Sequence, residues 1–176
     1  FEIVNVVATA SLGERVNLEN LEGLKGVTHD QEIYGGRVAY LRLSEMKGTV
    51  CVFFSGKMIS IGTKSEEDAF RDLQCARDFL IEKKLVRPVD LVPMVQNIVL
   101  TADLGRIVDL EELASHCSLV YEPEQFPGAI LRIDKPYKAT VLIFASGKIV
   151  IAGLKSSDYI NSTLCSVLET IDGKHR

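Results

Sequence analysis

His29 beside Asp30 is the pairing in this chain best suited to moving a proton, since an imidazole next to a carboxylate is a common unit of acid–base chemistry. No second nucleophile or carboxylate stands at a spacing that would complete a catalytic set. His116 and His175 sit in weaker contexts, and no Gly-rich phosphate loop is present. Cys51, Cys75, Cys117 and Cys165 show no CxxC spacing and no histidine at metal-ligand intervals. Cys51 lies in an apolar strand-like run and Cys75 in a helical pattern, so buried free thiols are expected rather than disulfides or zinc. The sequence therefore predicts no enzyme, no catalytic residue, no metal and no cofactor.

The residue types that recur point to binding. Asn5, Val7, Thr9, Ala10, Leu12 and Gly13 reappear 92 positions later as Asn97, Val99, Thr101, Ala102, Leu104 and Gly105. Phe53, Ser55, Gly56, Lys57, Gly62, Lys64 and Ser65 reappear 91 positions later as Phe144, Ser146, Gly147, Lys148, Gly153, Lys155 and Ser156. Amides, hydroxyls, amines and rings are thus present in duplicate. Each copy is too long for a short-period solenoid and already holds several elements.

The elements that must hold these groups follow from local pattern. Residues 2–10 and 94–102 are β-branched apolar runs of strand length, each followed by a Leu-Gly stop. Asn17 and Asp109 then stand as N-caps before short amphipathic helices carrying Leu18, Leu21 and Leu24, and Leu110, Leu113 and Ala114. Strands follow, clearest at 129–133, 140–145 and 148–153, the last two joined by Ser146-Gly147 in hairpin chemistry. Each copy closes with a helix. The first has Ser65 and Asp68 in a capping-box pattern before the stripe Ala69, Leu73, Ala76 and Leu80; the second has Ile160, Leu164, Val167, Leu168 and Ile171. Two β-α-β-β-β-β-α repeats result, 1–88 and 93–176, with Arg87 to Pro93 as linker. Val50 to Phe54 and Val141 to Phe144 are apolar at successive positions, so both faces of the sheet want cover, and the helices supply only one.

The 176 residues are 47% hydrophobic, enough for a sizeable core. No apolar run reaches bilayer length, and the start carries no charged segment followed by an apolar one, so a soluble intracellular protein with no membrane partner is expected. The net charge of −4 is shared evenly, with 12 basic and 14 acidic groups in residues 1–92 and 8 and 10 in residues 93–176. Global charge alone does not advertise nucleic-acid binding, which usually shows a basic excess.

The block Glu122-Pro123-Glu124-Gln125-Phe126-Pro127-Gly128 carries more specific information, together with Leu131-Arg132-Ile133, Ile143-Phe144-Ala145-Ser146-Gly147-Lys148 and Gly153-Leu154-Lys155-Ser156. With Val95-Gln96-Asn97-Ile98-Val99 and Asp103-Leu104-Gly105, these blocks resemble the archaeal TATA-box-binding protein family over the whole chain, both repeats in the family's order. The resemblance implies an α+β pseudo-twofold saddle: one curved antiparallel ten-stranded sheet with four helices on its convex face and a concave underside in a DNA minor groove. It implies a general transcription initiation factor that binds and bends TATA-type promoter DNA. Bending is a known property of that family and is not read from these residues.

The minor groove presents nearly the same acceptors for A·T and T·A, while G·C adds an amino group that a flat apolar surface cannot accommodate. An underside of Val7, Val99, Ile59, Val150 and Leu142 would therefore favour A·T-rich sequence, with Asn5 and Asn97 donating to base acceptors. Strand Val, Ile and Leu residues are ordinarily core; their pairing across the duplication favours the DNA reading. By motif, the wedges are Phe126 with Phe144 in the second repeat and Phe53 with Tyr34 in the first, where Gln31-Glu32-Ile33-Tyr34-Gly35-Gly36 replaces EQFPG and adds two residues. Phosphate contact falls to Lys57, Lys148, Arg42 and Arg132, with Ser55 and Ser146 on the turns, while Glu66, Glu67 and Asp68 sit on a helix facing away.

Where the family has Thr before the glycines matching Gly62 and Gly153, this chain has Ile61 and Ala152, which predicts weaker or less strict TATA recognition. Glu122, Glu124 and Gln125 match the family's contact with the B-type initiation factor, and through it, indirectly, the RNA polymerase machinery. An exposed apolar underside also gives the DNA-free protein a route to a homodimer. The implied location is cytoplasmic and nucleoid-associated for an archaeal protein, nuclear for a eukaryotic one. Two other readings remain: a diverged saddle protein acting as a protein-interaction module in transcription, and an accessory domain of a nucleic-acid enzyme.

Overall fold

The computed structural model describes residues 1–173; His175 and the end of the 93–176 repeat lie outside the described residues. The chain divides into two compact units, Asn5–Gln96 and a second that runs from Asn97 onward and includes Phe1–Val4. The unit boundary thus falls beyond the linker, and the first four residues belong with the second unit, where Phe1 and Glu2 lie along Thr101, Ala102 and Asp103.

In the first unit the strands are β1 (Glu2–Ser11, from Asn5), β2 (Val27–His29), β3 (Val38–Leu41), β4 (Thr49–Phe53) and β5 (Lys57–Thr63), ordered β2-β3-β4-β5-β1 and antiparallel throughout. Helix α1 (Glu66–Glu82) covers one face. Ser65 caps it by accepting the Asp68 N–H at 3.0 Å, and Ala69, Leu73, Ala76 and Leu80 are all fully buried against Val50, Val52 and Met58 on the sheet's inner face. Burial of each such Leu contributes about 1.5–3 kcal/mol, which makes this stripe the anchor of the unit. Asp72, on the same helix and fully buried, accepts the Lys47 and Gly48 N–H groups at 3.0 and 2.7 Å, satisfying the backbone of the loop before β4.

In the second unit β6 (Met94–Asp103), β9 (Lys148–Leu154), β8 (Ala139–Ile143) and β7 (Ala129–Ile133) lie in that order, again antiparallel. Its helices are α2 (Leu110–His116), capped by Asp109, and α3 (Ile160–Ile171). On α3 the buried residues are Ile160, Thr163 and Val167, while Leu168 is exposed, so the buried stripe runs through Thr163 rather than through the expected Leu168.

The described residues thus hold nine strands and three α-helices, against an expected ten and four. The helix after Asn17 is a 3-10 turn, Leu18–Leu21: Gly23 at φ +75° ends it before an i→i+4 ladder can form. The missing strand is the partner of β7. β2 pairs with β3 at three positions, but the corresponding stretch of the second repeat makes one bridge, Val120 to Ile130, before Pro123 and the turn at Glu122 take the chain away.

Both hairpin turns use glycine for a physical reason. Gly56 and Gly147 have φ of +92° and +90°, and a Cβ on either would lie 2.0 Å from the carbonyl oxygen of Glu14 or Arg106. No side chain fits there.

Candidate nucleic-acid interface

The site begins with a fault in the β-ladder that occurs in both units. Val6 pairs with Thr63 and Ala8 with Ser60, so β5 carries one residue more than β1 between them; Ile98 with Leu154 and Leu100 with Ile151 repeat this on β9 and β6. These are β-bulges, and each contains a glycine at positive φ, Gly62 at +84° and Gly153 at +101°. The bulge frees the glycine N–H from the ladder. Asn5 Oδ1 accepts it from Gly62 at 2.8 Å, and Asn97 Oδ1 accepts it from Gly153 at 2.7 Å. A backbone N–H can only donate, so the amide oxygen must face it and each Asn is left with its NH₂ as a pair of outward donors.

Cross-strand register places the remaining candidates. In the first unit Asn5, Val7, Ile59, Ile61, Phe53 and Lys57 share the face opposite α1, with Arg42 continuing the same alternation past β3. In the second, Asn97, Val99, Leu142, Val150, Ala152, Arg132 and Lys148 share the corresponding face, with Phe144 just beyond β8. These side chains are half-buried or exposed, whereas their neighbours of opposite parity, Val50, Val52, Met58, Val141, Ile149 and Ile151, are buried. Each unit therefore has one covered and one open sheet face.

Register also adds Tyr40, Cys51, Ile130, Thr49 and Thr140 to the faces outlined by repeat and motif. Thr9 lies opposite Ile59, which lies opposite Cys51, which lies opposite Tyr40; in the second unit the row is Thr101, Val150, Leu142 and Ile130. Thr49 stands directly opposite Ile61, and Thr140 opposite Ala152. Hydroxyls absent from Ile61 and Ala152 are thus present on the adjoining strand. Period-two alternation carried across the hairpins would have found them.

The charges are distributed by face. Lys57, Lys148, Arg42 and Arg132 are exposed and form no ion pair among the described residues. Some cations elsewhere are matched, as in Arg71 with Glu67 and Asp68 on α1, or Arg106 with Asp172. Ser55 and Ser146 close their turns by accepting the Lys57 and Lys148 N–H groups, both at 3.4 Å. The open faces of a net negative chain thus carry unmatched positive charge.

The aromatic candidates differ between units. Phe126 and Phe144 meet edge to face with centroids 5.8 Å apart, an apolar pair beside the open face. Tyr34 is 75% exposed, has φ +51° and makes no ring contact with Phe53 among the described residues, so the expected first-repeat pair is not assembled. Glu122, Glu124 and Gln125 are exposed on the loop before Phe126, where the Glu122 carbonyl accepts the Gln125 and Phe126 N–H groups.

His29 does not pair with Asp30. Its Nε2 donates to the Gly36 carbonyl at 2.8 Å and its Nδ1 lies 2.9 Å from Glu22 Oε1, to which it donates when the ring is protonated, while Asp30 Oδ1 accepts the Glu32 N–H. The Gly36 carbonyl, followed by Glu22, raises the imidazole's pKa above 6.5 against the effect of burial, as expected when both ring nitrogens face acceptors. The group is a clamp, not a base. The cysteines are free: Cys51 is buried, Cys75 and Cys117 half-buried, and Cys165 exposed. Burial raises the Cys51 and Cys75 thiols, which keeps them protonated and poor as ligands or nucleophiles. Among the described residues no three metal-ligating side chains converge, and no helix is long and apolar enough to cross a membrane.

Comparison with known proteins agrees with this arrangement. The family model described as transcription factor TFIID (or TATA-binding protein, TBP) matches residues 1–81 and 92–173. A TATA-box-binding protein of Cenarchaeum symbiosum is 38% identical over 97% of this chain and 93% of its own length, and TATA-box-binding protein 2 of Haloferax volcanii is 41% identical over 97% and 92%. The solved structure of Methanococcus jannaschii TBP superposes with a TM-score of 0.84 at 36% identity, covering 97% of both chains. With paired bulges, duplicated open faces and a family match in each repeat, the chain belongs to the TATA-binding protein family.

Proposed function

We propose that this protein is a general transcription initiation factor that lays its two open sheet faces in the minor groove of A·T-rich, TATA-type promoter DNA. The observation that carries the reading is the fixing of Asn5 and Asn97 by the bulge amides of Gly62 and Gly153. Two outward NH₂ groups amid Val7, Ile59, Val99 and Val150 suit a groove floor of acceptors without an amino group, the pattern of A·T pairs. Lys57, Lys148, Arg42 and Arg132, with Ser55 and Ser146, take phosphates, and Ile61, Ala152 and Leu142 complete the apolar floor. Phe126 and Phe144 act together as a wedge, and Phe53 meets the groove in the first repeat. Tyr34 contributes from the rim. The protein binds no cofactor and catalyses no reaction; 1–88 and 93–176 act as its two DNA-reading repeats.

The exposed loop of Glu122, Glu124 and Gln125 receives the B-type initiation factor, which links the promoter complex to RNA polymerase. Free of DNA, the open faces support a homodimer. The protein works in the cytoplasm, on the nucleoid, a reading supported by its likeness to proteins of archaea.

A gel-shift titration on an A·T-rich and a G·C-rich duplex, with and without B-type factor, at two salt concentrations, tests this. Selective binding that weakens with salt supports it. Failure to shift either duplex, even with the partner present, favours the second reading, a protein-interaction module with altered DNA recognition, for which the unassembled Tyr34–Phe53 pair is the motivating observation.

A further inference from the structure

The two repeats do not carry equivalent wedges, and the difference traces to one position. In the second unit Gly128 underlies the Phe126–Phe144 pair: a Cβ there would come within 2.8 Å of Phe126 Cε1 and 3.1 Å of Phe144 Cε1. Two rings can pack edge to face on that strand only because glycine leaves the space. Ala129 pairs with Ile143, so Gly128 precedes β7 at the level of Phe144.

In the first unit the same level is held by Val38, which pairs directly with Phe53 and is 2% exposed. Directly opposite residues of neighbouring strands share a face, so the Val38 side chain fills the space that a second ring would need. Tyr34 lies four positions before Val38, whereas Phe126 lies two before Gly128, and the intervening Gly35 and Gly36 both take positive φ. The tyrosine ring stays in solvent instead of reaching Phe53.

Resting on the DNA-binding reading above, we infer that this protein opens only one base step, at the end of its site held by the second repeat, and that Val38 is the residue that removes the wedge from the other end. A single apolar ring level with the sheet has no partner to hold it between bases, whereas the Phe126–Phe144 pair projects as a unit. Such a protein bends its site unequally, and a flexible pyrimidine–purine step at one end alone fixes the direction in which it binds.

The test uses the full chain on one A·T-rich duplex with 2-aminopurine placed singly at either end of the protected site. The expected result is a fluorescence rise of several-fold at one end and none at the other. Phe126→Ala, and Phe126→Leu as the milder variant, should extinguish that rise and weaken binding at least tenfold with an unchanged circular dichroism spectrum, while Phe53→Ala leaves the bright end bright. Equal rises at both ends, or none at either end of a bound duplex, overturn the inference and leave the DNA-binding reading standing. Absence of binding to the duplex overturns both.

Discussion

The carboxamide of Asn97 is turned by the backbone of Gly153: its Oδ1 accepts the glycine N–H at 2.7 Å, so the NH₂ end faces out. Asn5 and Gly62 repeat the relationship at 2.8 Å. Asn97→Asp keeps an acceptor for Gly153 but exchanges the outward donors for acceptors. Facing a groove of acceptors, this should weaken A·T-duplex binding roughly 10- to 100-fold, the scale of about 1–3 kcal/mol for a specific base contact. Fluorescence anisotropy would measure it, and a melting temperature close to that of wild type would show that the internal bond survives.

Ser60 is fully buried on the sheet face under α1, and its hydroxyl has no hydrogen-bond partner among the described residues. Ser60→Ala removes a desolvated polar group at almost no loss of volume. It should stabilise the protein by about 1 kcal/mol, read as a rise in denaturant midpoint without change of slope.

His29 ties Glu22 to the Gly36 carbonyl with its side chain fully buried. Its folded pKa is raised above 6.5, so its contribution to stability is complete below the unfolded value and is lost as pH rises through the folded one. The stability difference between wild type and His29→Gln should therefore be largest in mildly acid buffer and shrink toward alkaline pH. Urea melts at several pH values would show it; a difference that stays constant, or grows with pH, contradicts the clamp.

Gly147 combines φ of +90° with a space that Cβ cannot enter, 2.0 Å from the Arg106 carbonyl oxygen. Gly147→Ala should cost at least about 2 kcal/mol, from the left-handed backbone and the displaced turn together. Thermal unfolding would report the loss.

Much of this was legible in the residues. The duplicated Asn, Gly and Ser-Gly-Lys positions marked the open faces because binding chemistry and turn chemistry leave type-specific signatures. The stripe Ala69, Leu73, Ala76 and Leu80 marked α1 because helical burial has a period. The bulges left no such trace: Gly62 and Gly153 stood out as repeated glycines, but an extra residue in one strand appears only when its partner's register is known. The same holds for Thr49 and Thr140, whose place beside Ile61 and Ala152 depends on pairing. His29 misled because adjacency in sequence to Asp30 suggested a partner, while the actual acceptors, Glu22 and Gly36, are each seven residues away. Tyr34 was placed at the Phe position by motif with two added residues noted, but that the glycine pair would turn its ring into solvent depends on backbone conformation that motif does not carry.

Phe1–Val4 belong with the unit that begins at Asn97. During synthesis these four residues leave the ribosome well ahead of the segments they lie along, from Thr101 to Val150, which begin about a hundred residues later. At roughly 5–20 residues per second that is a wait of about 5–20 s, during which Asn5–Gln96 can complete its own fold. Phe1–Val4 then wait as a segment that the later-made unit must capture, and translation speed becomes a factor in how cleanly the protein matures.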